Sequence, residues 1–442
     1  MKKYLIVLLN VAFMQVAASN VLGTPVLRFG ANGIVSLGAA THVYFDNGVV
    51  DDQQRIVAVG QITDRGAVVV RFLSNGAIDT SFNGVGYVLF TYTGTADIGT
   101  CVAFYQDKIF VGGDNGGDTA DGFIASFNED GSFNTAWGDD GIFGLSNNPY
   151  HVFSIVPQTD GKIVACGFFD DTHGYVARTN TTGTGLDATF NASGTPGYQL
   201  LSDGYPIALS CVLDSEENII VCSTDNTSSL VYMFNVQGLP NTAFNETGKS
   251  DLLVNFAAMR LLLQQSGSIV VIGYNPVGLS IYLVRITPTG EVDVTFGING
   301  TVTIPFTGYG YSLMSGINNT FYAGCYDFSS GYGKIVAYGV NGALNTSWGN
   351  NGIVSCSSMS SGVLALQSSK NGAVLAIGST ESEGLLQEFV EYVESILGIT
   401  GSQFAAITEG GVYVITPQKV YATPVTLPSL ATLATRTILA GL

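Results

Sequence analysis

NTSWGNNGIV, residues 345–354, and NTAWGDDGIF, residues 134–143, are one phrase written twice in a single chain. The phrase sets an aromatic residue beside Gly or Asn, with a second Gly three residues after the Gly or Asn. Searching outward finds it at Phe29, Phe82, Trp137, Phe190, Phe244, Phe296 and Trp348, at spacings of 52 to 55 residues. Both tryptophans of the chain occupy this slot. A fixed period of this length is the signature of a repeat architecture, in which each unit buries its flank against the next.

The phrase extends upstream. Gly precedes the aromatic by six residues at Gly23, Gly76, Gly131, Gly238, Gly290 and Gly342, and Asp or Asn precedes it by three at Asp79, Asn134, Asp187, Asn241, Asp293 and Asn345. The first copy carries Val26 there instead. Asp and Asn side chains bond backbone amides two residues on, and glycine accepts positive φ, so the phrase reads as a corner with its aromatic plugged between units. Three copies place Asn83, Asn191 and Asn245 after the aromatic; Asn tolerates the left-handed conformation.

Between corners a short extended run is followed by a hairpin, as in HVFSIVPQTDGKIVACG and VLALQSSKNGAVLAIG, and then by a final run such as AVVVRFL. The Asp-Gly and Asn-Gly tips suit tight turns between β-branched residues. Four strands per unit follow, which predicts an all-β chain: a seven-bladed β-propeller of four-stranded blades over residues 19–380. An open β-solenoid is the rival.

The motif Gly-x-φ-[Asp/Asn]-x-x-[Phe/Trp]-Gly-x-x-Gly, with its downstream DGKI-type hairpin, resembles the delta-60 repeat family over roughly residues 22 to 380. The resemblance implies a propeller and export in bacteria. That family carries no established activity, so no catalytic residue transfers.

The final strand of the unit carries Arg71, Arg178 and Arg285 in alternate copies, the same copies that have Asp79, Asp187 and Asp293 at the corner. Where the corner has Asn134, Asn241 or Asn345, the arginine slot holds Ser126, Met233 or Ala337. Each Arg is expected to pair with its own Asp as a structural ion pair, held ionised and unreactive.

The repeat breaks after residue 380. Leu385, Leu386, Phe389, Val390, Val393, Ile396 and Leu397 follow a helical period, with Glu388, Glu391 and Glu394 opposite. Thr380 and Glu383 offer a capping box and Gly398 a stop, so residues 381–399 are expected to form an inserted amphipathic helix. Its acidic polar face disfavours a membrane-surface role. Phe404–Thr408 is then expected to bring the missing strand of the seventh blade, within residues 400–416, and 417–442 to form an apolar tail.

The opening MKKYLIVLLNVAFMQVAASN has the form of a signal peptide over residues 1–18, with Lys2 and Lys3 before an apolar run and Val16-Ala17-Ala18 at the cut. Its loss takes the net charge from −18 to −20 and leaves no integral membrane span, so the chain is expected to be periplasmic, at the cell surface or secreted. So acidic a chain has no basic face for nucleic acid. None of the six cysteines forms a Cys-x-x-Cys pair. Cys211 and Cys222 face each other across an inferred hairpin, as a disulfide or as two small buried residues.

No serine-nucleophile elbow, phosphate loop or dinucleotide fingerprint occurs. His42 and His151 begin equivalent strands without a recurring third ligand, His173 stands alone, and Asp114, Asp118 and Asp121 lack the spacing of a calcium loop. No cofactor is therefore expected; calcium on that acidic loop is the weaker alternative. The expectation is an exported, non-catalytic scaffold binding a protein or glycan. The alternative is a propeller enzyme, a glycan or lactone hydrolase or lyase, with His42, His151, Asp170 and Asp171 converging in the central funnel. Self-association through the helix and tail is a third use.

Overall fold

The structure is a computed structural model. It describes residues 43–389 apart from breaks at 95, 116–120, 146–150, 171–172, 202–206, 226–227, 253–254, 318–319, 370–372 and 381–382, together with 22–23, 29–30, 34–36, 404–408, 411–416 and 419–422. The chain divides into two units, Met1–Glu391 and Tyr392–Leu442. The described residues contain strands and turns, and no helix among them is long and apolar enough to cross a membrane.

In the first unit, β1 (Ile34–Ser36) stands apart in sequence from the first sheet. That sheet runs β2 (Val43–Val50), β3 (Ile56–Ile62), β4 (Gly66–Phe72) and β5 (Tyr87–Phe90). The second is β6 (Ile98–Tyr105), β7 (Lys108–Asp114), β8 (Phe123–Asn128) and β9 (Ile142–Gly144). The third is β10 (His151–Pro157), β11 (Ile163–Asp170), β12 (His173–Arg178) and β13 (Tyr198–Leu201). The fourth is β14 (Ile207–Leu213), β15 (Ile219–Thr224), β16 (Ser229–Phe234) and β17 (Lys249–Asp251).

The fifth sheet is β18 (Ala257–Leu263), β19 (Ile269–Tyr274), β20 (Ser280–Ile286) and the first half of β21 (Thr301–Ser315). The second half of β21 opens the sixth, with β22 (Phe321–Asp327), β23 (Tyr332–Tyr338) and β24 (Ile353–Cys356). One strand thus serves two sheets. The last sheet holds β25 (Val363–Ser368), β26 (Val374–Ser379) and β27 (Gly384–Phe389), and its outer place is taken by β1.

Two expectations are corrected here. The described start of the expected helix is β27, an antiparallel partner of both β26 and β1. Every residue of β27 is buried, including Glu388, which meets Ser369. A strand covered on both faces is apolar at nearly every position, and over six residues that pattern also satisfies a helical period. Residues 390–399 lie outside the described residues. The second correction concerns closure. Phe404–Thr408 (β28) pairs with β29 (Gly411–Thr416), which pairs with β30 (Lys419–Ala422), so the last sheet of the first unit is completed from the beginning of the chain. The expected leader, residues 1–18, and most of the apolar tail lie outside the described residues.

Middle strands show why neighbours are needed: β4 is buried at all seven positions. Apolar layers fill the junctions between sheets that follow one another in the chain, as where Val57, Val59 and Val69 meet Ile109, Val111 and Phe123. All seven corner aromatics are buried. The first strands touch in order, β2 to β6, β10, β14, β18, β21 and β25, and β25 returns to β2.

The corners carry the link. The residue after each aromatic has positive φ: Gly30, Asn83, Gly138, Asn191, Asn245, Gly297 and Gly349. That geometry aims its amide at the next corner. The amide of Gly30 donates to Asn75 O at 2.8 Å, Asn83 to Asp130 O at 2.6 Å, Gly138 to Thr182 O at 2.7 Å and Asn191 to Gln237 O at 2.7 Å. Asn245 donates to Thr289 O at 2.7 Å, Gly297 to Asn341 O at 3.0 Å, and Gly349 to Leu22 O at 3.0 Å. Each acceptor immediately precedes a positive-φ glycine, and Gly183 fills that place in the copy where the six-residue spacing fails. The set is cyclic.

Candidate functional site

Every first strand is interrupted at one place. The pairing register slips between Phe45 and Asn47, Gly99 and Cys101, Val152 and Ser154, and Ala208 and Ser210. It slips again between Ala258 and Arg260, Gly310 and Ser312, and Val363 and Ala365. A β-bulge leaves one residue unpaired and re-aims its side chain. The seven bulged residues are Asp46, Thr100, Phe153, Leu209, Met259, Tyr311 and Leu364. Six of them line one cavity of about 430 Å³, with Ile98, Asp114, His151 and Arg260. Six different sheets contribute, and Arg260 reaches the remaining one, the fourth, through Leu209 O at 2.6 Å, so the cavity lies at the hub where the first strands meet.

The polar groups are few and separately held. His151 Nδ1 lies 2.9 Å from the buried Asp114 Oδ2, and its ring stacks on Phe153 at 5.5 Å. The residue after the bulge usually stitches one first strand to the next: Asn47 Nδ2 donates to Thr100 O at 3.5 Å, and Ser312 Oγ to Val363 O at 3.0 Å. Arg260 breaks that habit. It turns back, and its Nη1 serves the carbonyls of Leu209 and, at 3.3 Å, its neighbour Met259. Asp46 touches the cavity, but protein surrounds it; that burial, then the negative Asp114, push its pKa up to about 7 against the pull of Arg260. Outward from Tyr311, Tyr309 stands 5.9 Å away, with Tyr274 at 4.7 Å and Phe328 at 5.0 Å from Tyr309, an aromatic row over the fifth and sixth sheets.

Of the residues singled out from sequence, His151 and Asp114 lie in this cavity. His42, Asp118 and Asp171 lie outside the described residues, and Asp170 and His173 are backbone partners at the β11–β12 turn. Among the described residues no group of three side chains is placed to hold a metal ion.

Arg71, Arg178 and Arg285 sit away from the cavity, at the corners. Arg71 Nε donates to Asp79 Oδ2 at 2.8 Å, Arg178 Nε to Asp187 at 2.9 Å and Arg285 Nε to Asp293 at 2.8 Å. Each guanidinium lies over its own corner ring, 4.7 Å from Phe82, 4.9 Å from Phe190 and 4.6 Å from Phe296. Each also donates through Nη1 to a carbonyl of the following sheet, at Glu129, Val236 and Val340. Burial alone would raise the Asp79 carboxyl, but the hydrogen bonds from Ser81 and the charge of Arg71 outweigh it and hold the pKa below its ordinary value. These are inter-sheet staples.

Of the two readings of Cys211 and Cys222, the structure has two buried free thiols. Cys211 pairs with Val221 and Cys222 with Ser210, one step out of register. Cys211 therefore enters the core between the third and fourth sheets, and Cys222 the core between the fourth and fifth. An offset of one residue turns a side chain to the other face.

Comparisons place this geometry among known folds. A family model described as a domain of unknown function (DUF5122) beta-propeller matches residues 55–82 and 158–190. Each matched stretch ends on a corner phenylalanine and contains an Arg–Asp staple. No curated protein matches the sequence. Among solved structures, a catalytically inactive virginiamycin B lyase from Staphylococcus aureus with quinupristin is similar at a TM-score of 0.50 and 11% identity, over 80% of this chain and 99% of that one. YCF48 bound to D1 peptide is similar at a TM-score of 0.49 and 9% identity, over 84% and 97%. At such identity the likeness to the lyase speaks for fold alone: with the family match on the same side, the chain is a β-propeller.

Proposed function

We propose that the chain is an exported, seven-bladed binding propeller that holds a small ligand in the hub cavity. The seven cyclic corner bonds support the blade count, and the leader-like opening supports export. One observation carries the binding reading. Corners repeat nearly the same residues seven times, because each must do the same structural task. At the bulges the seven sheets supply Asp, Thr, Phe, Leu, Met, Tyr and Leu. Six of these seven differing side chains converge on one cavity, an asymmetric lining that recognition of an asymmetric ligand requires, and about 430 Å³ is the size of a small-molecule site.

Ligand-observed NMR with a fragment panel tests this, comparing the wild type with Leu364→Trp, which fills the cavity. Hits that disappear in the variant support the reading; hits that persist place binding elsewhere. Intact mass of the exported protein, short by the first 18 residues, checks the leader.

Catalysis at the same cavity is the second reading, favoured by the Asp114–His151 contact beside a carboxyl that titrates near neutrality. A general acid and base need such values at working pH. Turnover of glycosides or lactones that Asp46→Asn abolishes would select it.

A further inference from the structure

Asp46 and Arg260 share one small cavity, carry opposite charge, and do not pair with each other. Asp46 makes no hydrogen bond or ion pair with any described residue, and only burial and distant charges act on it. Arg260 spends Nη1 on two backbone carbonyls and meets no carboxylate among the described residues. Arg260 lines the cavity and is half-buried. Arg55, Arg71, Arg178 and Arg285 each hold a carboxylate, while Arg65 lies exposed at the β3–β4 turn. Asp46 and Arg260 are both half-buried; a charge partly withdrawn from water without an opposite charge beside it is costly, and two such charges lining one cavity ask for a molecule that bridges them. Phe153, Met259, Tyr311 and Leu364 give the same cavity apolar lining, beside Thr100 and the Asp114–His151 pair.

Resting on the binding reading above, we propose that the cavity takes a small zwitterion with an apolar side group, an α-amino acid or a molecule built like one. Its carboxylate lies on Arg260, its ammonium on Asp46, and its side group on the bulged apolar residues. A ligand with one charge would neutralise one wall and leave the other unpaired, which favours the zwitterion over a plain amine or acid.

The test is isothermal titration of the full chain with four compounds: L-phenylalanine, N-acetyl-L-phenylalanine, L-phenylalaninamide and 2-phenylethanol. L-Phenylalanine is expected to bind at least tenfold more tightly than the other three. Arg260→Gln is expected to erase its advantage over the amide, and Asp46→Asn its advantage over the N-acetyl compound. The four-compound ranking on the wild type stands even where a variant fails to fold. If an analogue binds as tightly as L-phenylalanine, or no compound binds at millimolar concentration, the ligand class is overturned. If L-phenylalanine binds Leu364→Trp as it binds the wild type, the cavity reading falls with it.

Discussion

The amide of Gly349 donates to the carbonyl of Leu22 at 3.0 Å, joining the last corner of the repeat to the first. It is the seventh bond of a set whose other six join neighbours in sequence, so a local rule repeated often enough becomes a long-range closure. The ring is then sealed twice, by this corner and by β1 on β27.

The corner aromatics are the load that closure distributes. Phe82 and Phe190 are fully enclosed, each with a guanidinium over one face. Phe82→Ala is expected to destabilise by about 3–5 kcal/mol, the usual cost of a large buried ring replaced by a cavity. Urea unfolding followed by intrinsic fluorescence measures it.

Arg71 and Asp79 are both buried, and removing one strands the other. Arg71→Met is expected to cost about 3–5 kcal/mol. The double change Arg71→Met with Asp79→Asn recreates the Met233–Asn241 pairing of the fourth sheet, where Asn241 Nδ2 lies 3.6 Å from Met233 Sδ. Most of the lost stability is expected to return, and a double-mutant cycle reads the coupling directly. Costs that simply add would contradict the staple.

Two carboxylates respond to pH in opposite directions. The folded pKa of Asp46, about 7, lies above the ordinary 3.8, so the folded state binds this proton more tightly than the unfolded chain does. Its favourable contribution is complete below the ordinary value and is lost as pH rises to about 7. Asp46→Asn escapes that loss and is expected to be more stable than the wild type at pH 8 by about 1–3 kcal/mol, with the gap closing toward pH 4. For Asp187, burial opposes ionisation, but Thr189, Lys162 and Arg178 outweigh it and bring the pKa to about 2. Its contribution is present above the ordinary 3.8 and disappears as pH falls to about 2. Thermal melts from pH 2 to 9 on the wild type, Asp46→Asn and Asp187→Asn separate the two windows.

All six cysteines are buried thiols. Alkylation of the denatured, unreduced protein followed by mass measurement is expected to find six modified thiols. A Cys211–Cys222 linkage would contradict the register of β14 and β15.

The sheets were legible in the sequence because corners obey backbone chemistry: positive φ after the aromatic selects Gly or Asn, and the turn before it selects Asp or Asn. The arginine pattern was legible for the same reason, since a buried cation restricts what may sit opposite. The cavity was not. The bulged residues that build it follow their corner aromatics by anything from 15 residues, at Met259 and Tyr311, to 18, at Thr100, and they share no chemistry. Nothing in the letters marks a bulge. The strand at Gly384–Phe389 carries a helical period in its letters because burial on both faces removes the alternation that distinguishes a strand.

The closure by β1 is the claim on which sheet count, hub and cavity all depend. Val35 and Leu386 are paired residues of β1 and β27. With Val35→Cys and Leu386→Cys introduced together, mild oxidation and peptide mapping are expected to find one intramolecular disulfide joining the two segments in nearly every molecule. Failure of the two cysteines to join, or joining only between molecules, would contradict the closed ring.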